Sequence, residues 1–147
     1  MLKKFTPIDH TADLGIEVYG KTLNKLFENS ACGMFSLITD INKVKNSKTV
    51  KIKLDSPDTE TLLITWLNEL QYYYSVQKML FNKFSVVIVS RMRACPNSGE
   101  AISLESEVSG EKIGRHRIFH DIKAATYHDL RITRTPDGYK TRIIFDV

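Results

Sequence analysis

The hydrophobic period changes once along this chain, near residue 75, and that change limits the folds open to it. Before it, two stretches repeat apolar residues at helical spacing: Leu23, Leu26, Phe27, Ala31, Met34, Phe35 and Ile38, then Leu62, Leu63, Trp66, Leu67, Leu70, Tyr73 and Tyr74. After it only strand patterns occur. Thr22 is placed to cap the first helix, which runs to about Thr39. Ser56-Pro57-Asp58 reads as a cap with proline at the first helical position, opening a helix to about Ser75. Leu14, Ile16 and Val18 alternate as a strand ending at Gly20, and Val50, Ile52 and Leu54 as another. Phe84 to Val89, apolar but for Ser85, predicts a central strand buried on both faces. Cys95-Pro96-Asn97-Ser98-Gly99 has hairpin-loop chemistry, with Ile102, Leu104, Ser106 and Val108 on the returning strand. Lys123 to Arg134 and Tyr139 to Val147 follow as strands joined by Thr135-Pro136-Asp137-Gly138. The order β-α-β-α and then four strands predicts an α+β two-layer sandwich, with two helices packed on one face of a largely antiparallel or mixed β-sheet.

Size and composition narrow the function classes. A chain of 147 residues, 42% apolar and 26% charged, has the profile of one globular domain, taken here as residues 1–147. It is too short for a typical α/β barrel of about 250 residues. Cys32 and Cys95 form no CxxC pair, so neither a disulfide scaffold nor a zinc ribbon is indicated, and a reducing cytoplasm fits. No apolar run reaches membrane-spanning length, and MLKKFTPIDH turns polar too soon for a signal peptide; no membrane is expected. The net charge of +4 is mild, but it is arranged in blocks: five lysines from Lys43 to Lys53, four acids from Asp55 to Glu69, four bases from Lys78 to Arg93, four acids from Glu100 to Glu111. Blocks of alternating sign are the pattern of neighbouring elements with solvated faces, not of a continuous basic stripe.

No phosphate loop, dinucleotide fingerprint, nucleophile elbow or HExxH helix occurs, which lowers the expectation of an enzyme. His116 and His120 have the spacing of one helical face, but zinc normally needs three or four ligands, and loop histidines beside Arg115 and Arg117 are the plainer reading. Asp9-His10-Thr11-Ala12-Asp13 sets two carboxylates in a polar turn before an apolar strand. It suits a hard cation such as calcium or magnesium, or an Asx-type turn without one. Asp146 stands next to last, after Ile143-Ile144-Phe145, beside Val147. Two anionic groups so close invite a cation or a base, unless the tail frays into water. Lys123, at a strand start, is either solvated or a partner for Asp13 or Asp146.

Asp9-His10-Thr11-Ala12-Asp13 with Leu14-Gly15, the segment Lys123-Ala124-Ala125-Thr126-Tyr127-His128, and the terminal Phe145-Asp146-Val147 together closely resemble the archease family. The resemblance extends to the Thr22–Phe35 segment, to Leu62-Leu63 with Trp66-Leu67, and to Gly110-Glu111. It implies an accessory protein of the RtcB-type RNA ligase of tRNA splicing and RNA repair, one that promotes guanylylation of the ligase by GTP and multiple turnover. RNA and GTP would be met only through the ligase. It also implies a divalent cation, usually calcium, with magnesium or manganese as alternatives, held by Asp13, Asp146 and Val147, and a role for Lys123 in ligase activation. Asp9 and His10 are candidate supporting groups. Two departures stand out: Ala125 replaces a bulkier apolar residue, and the stretch between Gly110-Glu111 and Arg115-His116 is shortened.

Two other readings of the residues compete. A small metal-dependent phosphoester hydrolase would use Asp9 and Asp13 as ligands and His10 or His128 as general base. A standalone RNA-binding module would use Lys43 to Lys53 and the Tyr72-Tyr73-Tyr74 run, tyrosines that otherwise belong to a half-buried helix face.

Overall fold

A computed structural model describes residues 3–8, 13–92 and 100–147. Ten elements carry the architecture. Strands β1 (Phe5–Ile8) and β2 (Leu14–Gly20) precede helix α1 (Leu23–Ile38), and a short 3-10 turn at Ile41–Lys43 leads to β3 (Lys48–Ser56). Helix α2 (Thr59–Ser75) follows, then the long strands β4 (Met79–Met92) and β5 (Glu100–Lys112), and finally β6 (Ala124–Thr126), β7 (Thr133–Thr135) and β8 (Gly138–Asp146). The α+β class with two helices on antiparallel strands is as expected, but the strands divide between two sheets. One runs β1-β2-β8-β6, with β7 also on β8; the other runs β3-β5-β4.

Both helices begin where side-chain chemistry allows. Thr22 Oγ1 accepts the main-chain N–H of Lys25 at 3.1 Å, satisfying one of the four N–H groups that a helix start leaves open. For α2 the cap is Asp58, which accepts from Thr61 N–H at 2.7 Å. Pro57 therefore sits outside the helix, not at its first position as the sequence suggested. Ser56 is still in β3, because its pairing with Ile102 continues the ladder.

The helices join the two sheets. α1 packs on β2 of the larger sheet and β4 of the smaller; α2 packs on β6 and β3. Their apolar faces meet in one core, where the Phe27 and Trp66 rings stack with centroids 6.1 Å apart. Trp66, fully buried, donates its indole N–H to Ser106 Oγ at 3.1 Å, so this ring is buried without leaving its donor unpaired. No helix among the described residues is long and apolar enough to cross a membrane.

Two strand expectations need correction, and one strand was not anticipated. The run Phe84–Val89 belongs to an edge strand, since β4 lies outside β5. Its inner residue Val86 is buried while Val87 and Val89 are exposed, so this largely apolar run marks a strand with one covered face. The edge is protected by α1: Asn24 Oδ1 and Glu28 Oε2, one helical turn apart, accept the Ile88 and Val86 N–H groups at 3.0 and 2.9 Å. Lys123 to Arg134 is not one strand. β6 ends at Thr126, and the chain turns through Asp129 at φ 54° before β7. Finally, β1 gave no alternating signal, because four residues including Pro7 form a short edge strand on β2. The turn expected over residues 95–99 lies outside the described residues, but the strands on either side of it pair antiparallel from Met92 and Glu100 onwards. The blocks of opposite charge meet across β3 and β5, where Lys51 and Lys53 face Glu107 and Glu105, each pair at 3.7 Å.

Candidate functional site at one end of the larger sheet

Strand register determines what gathers at this end. β2 pairs with β8 so that Leu14 faces Phe145. Asp13 and Asp146 each lie one residue beyond that last pair, Asp13 just before β2 and Asp146 at the end of β8. On the other side of β8, Ala124 of β6 faces Asp146, and the Lys123 N–H donates to the Asp146 carbonyl at 2.8 Å. Asp13 is half-buried; Lys123, Asp146 and Val147 are exposed. Residues far apart in the chain thus share one edge of the molecule.

β6 is only three residues long, and it depends on α2 for its position. Asn68 acts as a substitute strand: its Nδ2 donates to the Ala125 carbonyl at 3.1 Å and its Oδ1 accepts the Ala125 N–H at 2.8 Å. One turn later Gln71 donates to the Ile122 carbonyl at 3.1 Å. Tyr74 donates its phenol to Asp121 Oδ1 at 2.8 Å. Burial, then the Asp121 carboxylate, push the Tyr74 phenol above its ordinary pKa and keep it protonated. These three positions form a polar stripe beside the apolar face of α2, holding residues 121–125 on both sides of Lys123. The sequence reading did not single out Asn68 or Gln71; the available signal was amides recurring at helical spacing beside Leu67 and Leu70.

The other candidate residues fall elsewhere. Asp9 and His10 lie outside the described residues. His128 follows Thr126, at the end of β6 remote from Asp146, with its ring 3.4 Å from the Asp129 carboxylate. The segment holding His116 and His120 is not helical, so those rings do not share a helix face. His116 is not a solvated loop residue either: its Nε2 lies 2.7 Å from Glu111 Oε2. Glu111 also accepts the Lys45 N–H at 2.9 Å, and that bond first, then His116, hold its carboxyl below the usual carboxylate range. Of the tyrosine run, Tyr74 is buried, Tyr73 packs against the core and Tyr72 is exposed. Among the described residues no three His, Cys, Asp or Glu side chains cluster closely enough to hold a metal ion. Asp13 and Asp146 are carboxylates at this end of the sheet, the type of oxygen donor that hard divalent cations accept.

Comparison with known proteins agrees over the whole length. The profile of the Archease protein family matches residues 5–147. The chain is similar to Protein archease of Methanosarcina barkeri, 37% identical over 147 residues that make up 99% of this chain and 97% of the relative. It is also similar to Protein archease of Sulfurisphaera tokodaii, 35% identical, with coverage of 99% and 100%. The solution structure of protein 1598 of Methanobacterium thermoautotrophicum superposes with a TM-score of 0.78 at 26% identity, covering 99% of this chain and 100% of that one. A crystal structure from Thermotoga maritima, described as an archease and possible chaperone, shares the fold at a TM-score of 0.60 and 21% identity, covering 97% and 96%. By its profile match, its relatives and its fold, this chain belongs to the archease family.

Proposed function

We propose that this chain is an accessory protein that promotes guanylylation and repeated turnover of an RtcB-type RNA ligase, acting in the cytoplasm as an activator and not as an enzyme in its own right. The observation that carries the reading is the convergence of Asp13, Asp146, Val147 and Lys123 at one exposed strand end, through the β2–β8 and β6–β8 registers. Asp13, Asp146 and Val147 would hold a divalent cation, calcium in the first place, with magnesium or manganese as alternatives. A bound cation supplies positive charge that can neutralise phosphate oxygens. Lys123 adds a second positive group on a flexible stem, a point charge suited to phosphate. Nucleotidyl transfer gains most from positioning and charge neutralisation, and a protein that docks transiently can supply both. Main-chain pairing with β6 fixes Asp146, and Asp13 directly precedes the paired strand β2.

Of the groups the hydrolase reading would use, Asp9 and His10 lie outside the described residues, and His128 lies beyond the end of β6 remote from Asp146. The test is guanylylation of the cognate ligase with labelled GTP. Asp13→Ala or Asp146→Ala should remove the stimulation, and Lys123→Ala should reduce it. Unchanged stimulation by the two aspartate variants would overturn the proposal.

A further inference from the structure

A lysine-lined cleft lies at the opposite end of the β2–β8 pair. It has a volume of about 740 Å³ and is lined by Lys3, Lys4, Lys21, Lys25, Lys83 and Lys140, with Glu28 and Asp137 as its acids. Lys25 is engaged by Glu28 at 3.1 Å. The other five lysines are exposed and have no carboxylate within ion-pair distance among the described residues. They come from four separate places in the chain: before β1, the β2–α1 connection, β4 and β8. Only Lys83 belongs to one of the charge blocks of the sequence. Tyr19, Phe84 and Tyr139 also line the cleft, and the Arg134 guanidinium lies over the Tyr139 ring at 5.6 Å.

We infer that this cleft binds single-stranded nucleic acid, with the lysines along the phosphates and the tyrosine rings against the bases. Unpaired cations gathered in one concavity lower the cost of bringing in a polyanion and release its counterions. Aromatic rings among them add stacking that tolerates any base. A concave cleft fits a strand that enters it, whereas a flat anionic membrane would meet a planar or convex surface. The inference does not rest on the ligase reading. The two sites lie at opposite ends of β2 and β8, and the rise from Asp146 to Lys140 along β8 is roughly 20 Å.

The test is fluorescence anisotropy of a labelled oligouridine at low salt, with a salt titration. The wild-type chain should bind with an affinity that falls steeply as salt rises. Lys21→Glu with Lys140→Glu should weaken binding at least tenfold. The milder Lys21→Gln with Lys140→Gln should reduce the slope of log K against log salt by about 1.4, since each phosphate contact on a single strand contributes about 0.7. Lys43→Glu with Lys48→Glu, which makes the same charge change on exposed residues outside the cleft, should leave binding within twofold. Wild-type affinity in the cleft variants, or equal losses in both glutamate pairs, would overturn the inference. So would displacement of the oligonucleotide by inorganic tripolyphosphate at equal phosphate concentration, or binding to phosphatidylserine vesicles without binding to the oligonucleotide.

Discussion

At one end of the β2–β8 pair the backbone closes tightly and the charge is carried by long lysines; at the other the strands simply stop and the charge is carried by short carboxylates. The tight end is built on two glycines. Gly138 has φ 143°, and a Cβ there would lie 2.3 Å from the Gly20 carbonyl oxygen; a Cβ on Gly20 would lie 2.3 Å from the Leu26 nitrogen. No glycine at positive φ lies at the open end among the described residues. Its order comes from hydrogen bonds supplied from outside the strand pair: Lys123 N–H to the Asp146 carbonyl, and Asn68 to both main-chain groups of Ala125. The difference is instructive because side-chain length and backbone order trade against one another. A lysine on a four-carbon stem can find an anion from many positions. An aspartate cannot, so a site of aspartates needs its main chain fixed to within a fraction of an ångström.

This contrast can be broken at either end. The largest effect should come from Gly138→Ala, which puts a side chain at positive φ and against the Gly20 carbonyl. It should cost about 3 kcal/mol or more, combining strain with displaced backbone, and a denaturant midpoint would measure it. Asn68→Leu should come next. It leaves the Ala125 N–H and carbonyl without their side-chain partner, a loss of about 1–3 kcal/mol, and it should reduce ligase stimulation more than its stability loss alone explains. A variant that keeps full stimulation would separate β6 from the function. Smaller again is the response to acid. Glu111 anchors the loop that leads toward Lys123, and its carboxyl is held low by the Lys45 N–H and His116. Its folded form therefore takes up a proton less readily than the unfolded chain does. The stability it contributes is present above the ordinary carboxylate pKa and is lost as pH falls through that value toward the lower folded one. Thermal melts between pH 7 and pH 3 should show Glu111→Gln losing part of that acid dependence. The smallest effect belongs to the pairs across the β3–β5 ladder, distant from both ends. Lys53→Ala should change stability by about 0.5 kcal/mol or less, because Lys53 and Glu105 are both largely exposed.

Legibility in the sequence followed the range of the interactions. Both helices were readable because a cap and an apolar face are local: Thr22 and the face from Leu26 to Ile38 lie within one short stretch. The position of Phe84–Val89 was not, because an apolar run reads the same in a central strand and in an edge strand whose N–H groups are covered by Asn24 and Glu28. The break after Thr126 was hidden by residues of good strand propensity on either side of the turn at Asp129. In the candidate site, Asp146 stood out as a carboxylate ending an apolar strand, and Asp13 as one preceding another. Their adjacency, and the support of Lys123 by Asn68 and Gln71, depend on pairing between distant segments. The lysine cleft was the least legible feature, for the same reason: its cations are scattered from Lys3 to Lys140 and meet only in three dimensions.

The cation site proposed at Asp13, Asp146 and Val147 can be tested by calcium titration with calorimetric detection. The wild-type chain should bind one calcium ion, and Asp146→Asn, which keeps the shape of the side chain and removes its charge, should abolish the binding with no loss of fold by circular dichroism. Equal calcium binding by the wild-type chain and Asp146→Asn, or no binding by either, would contradict the account.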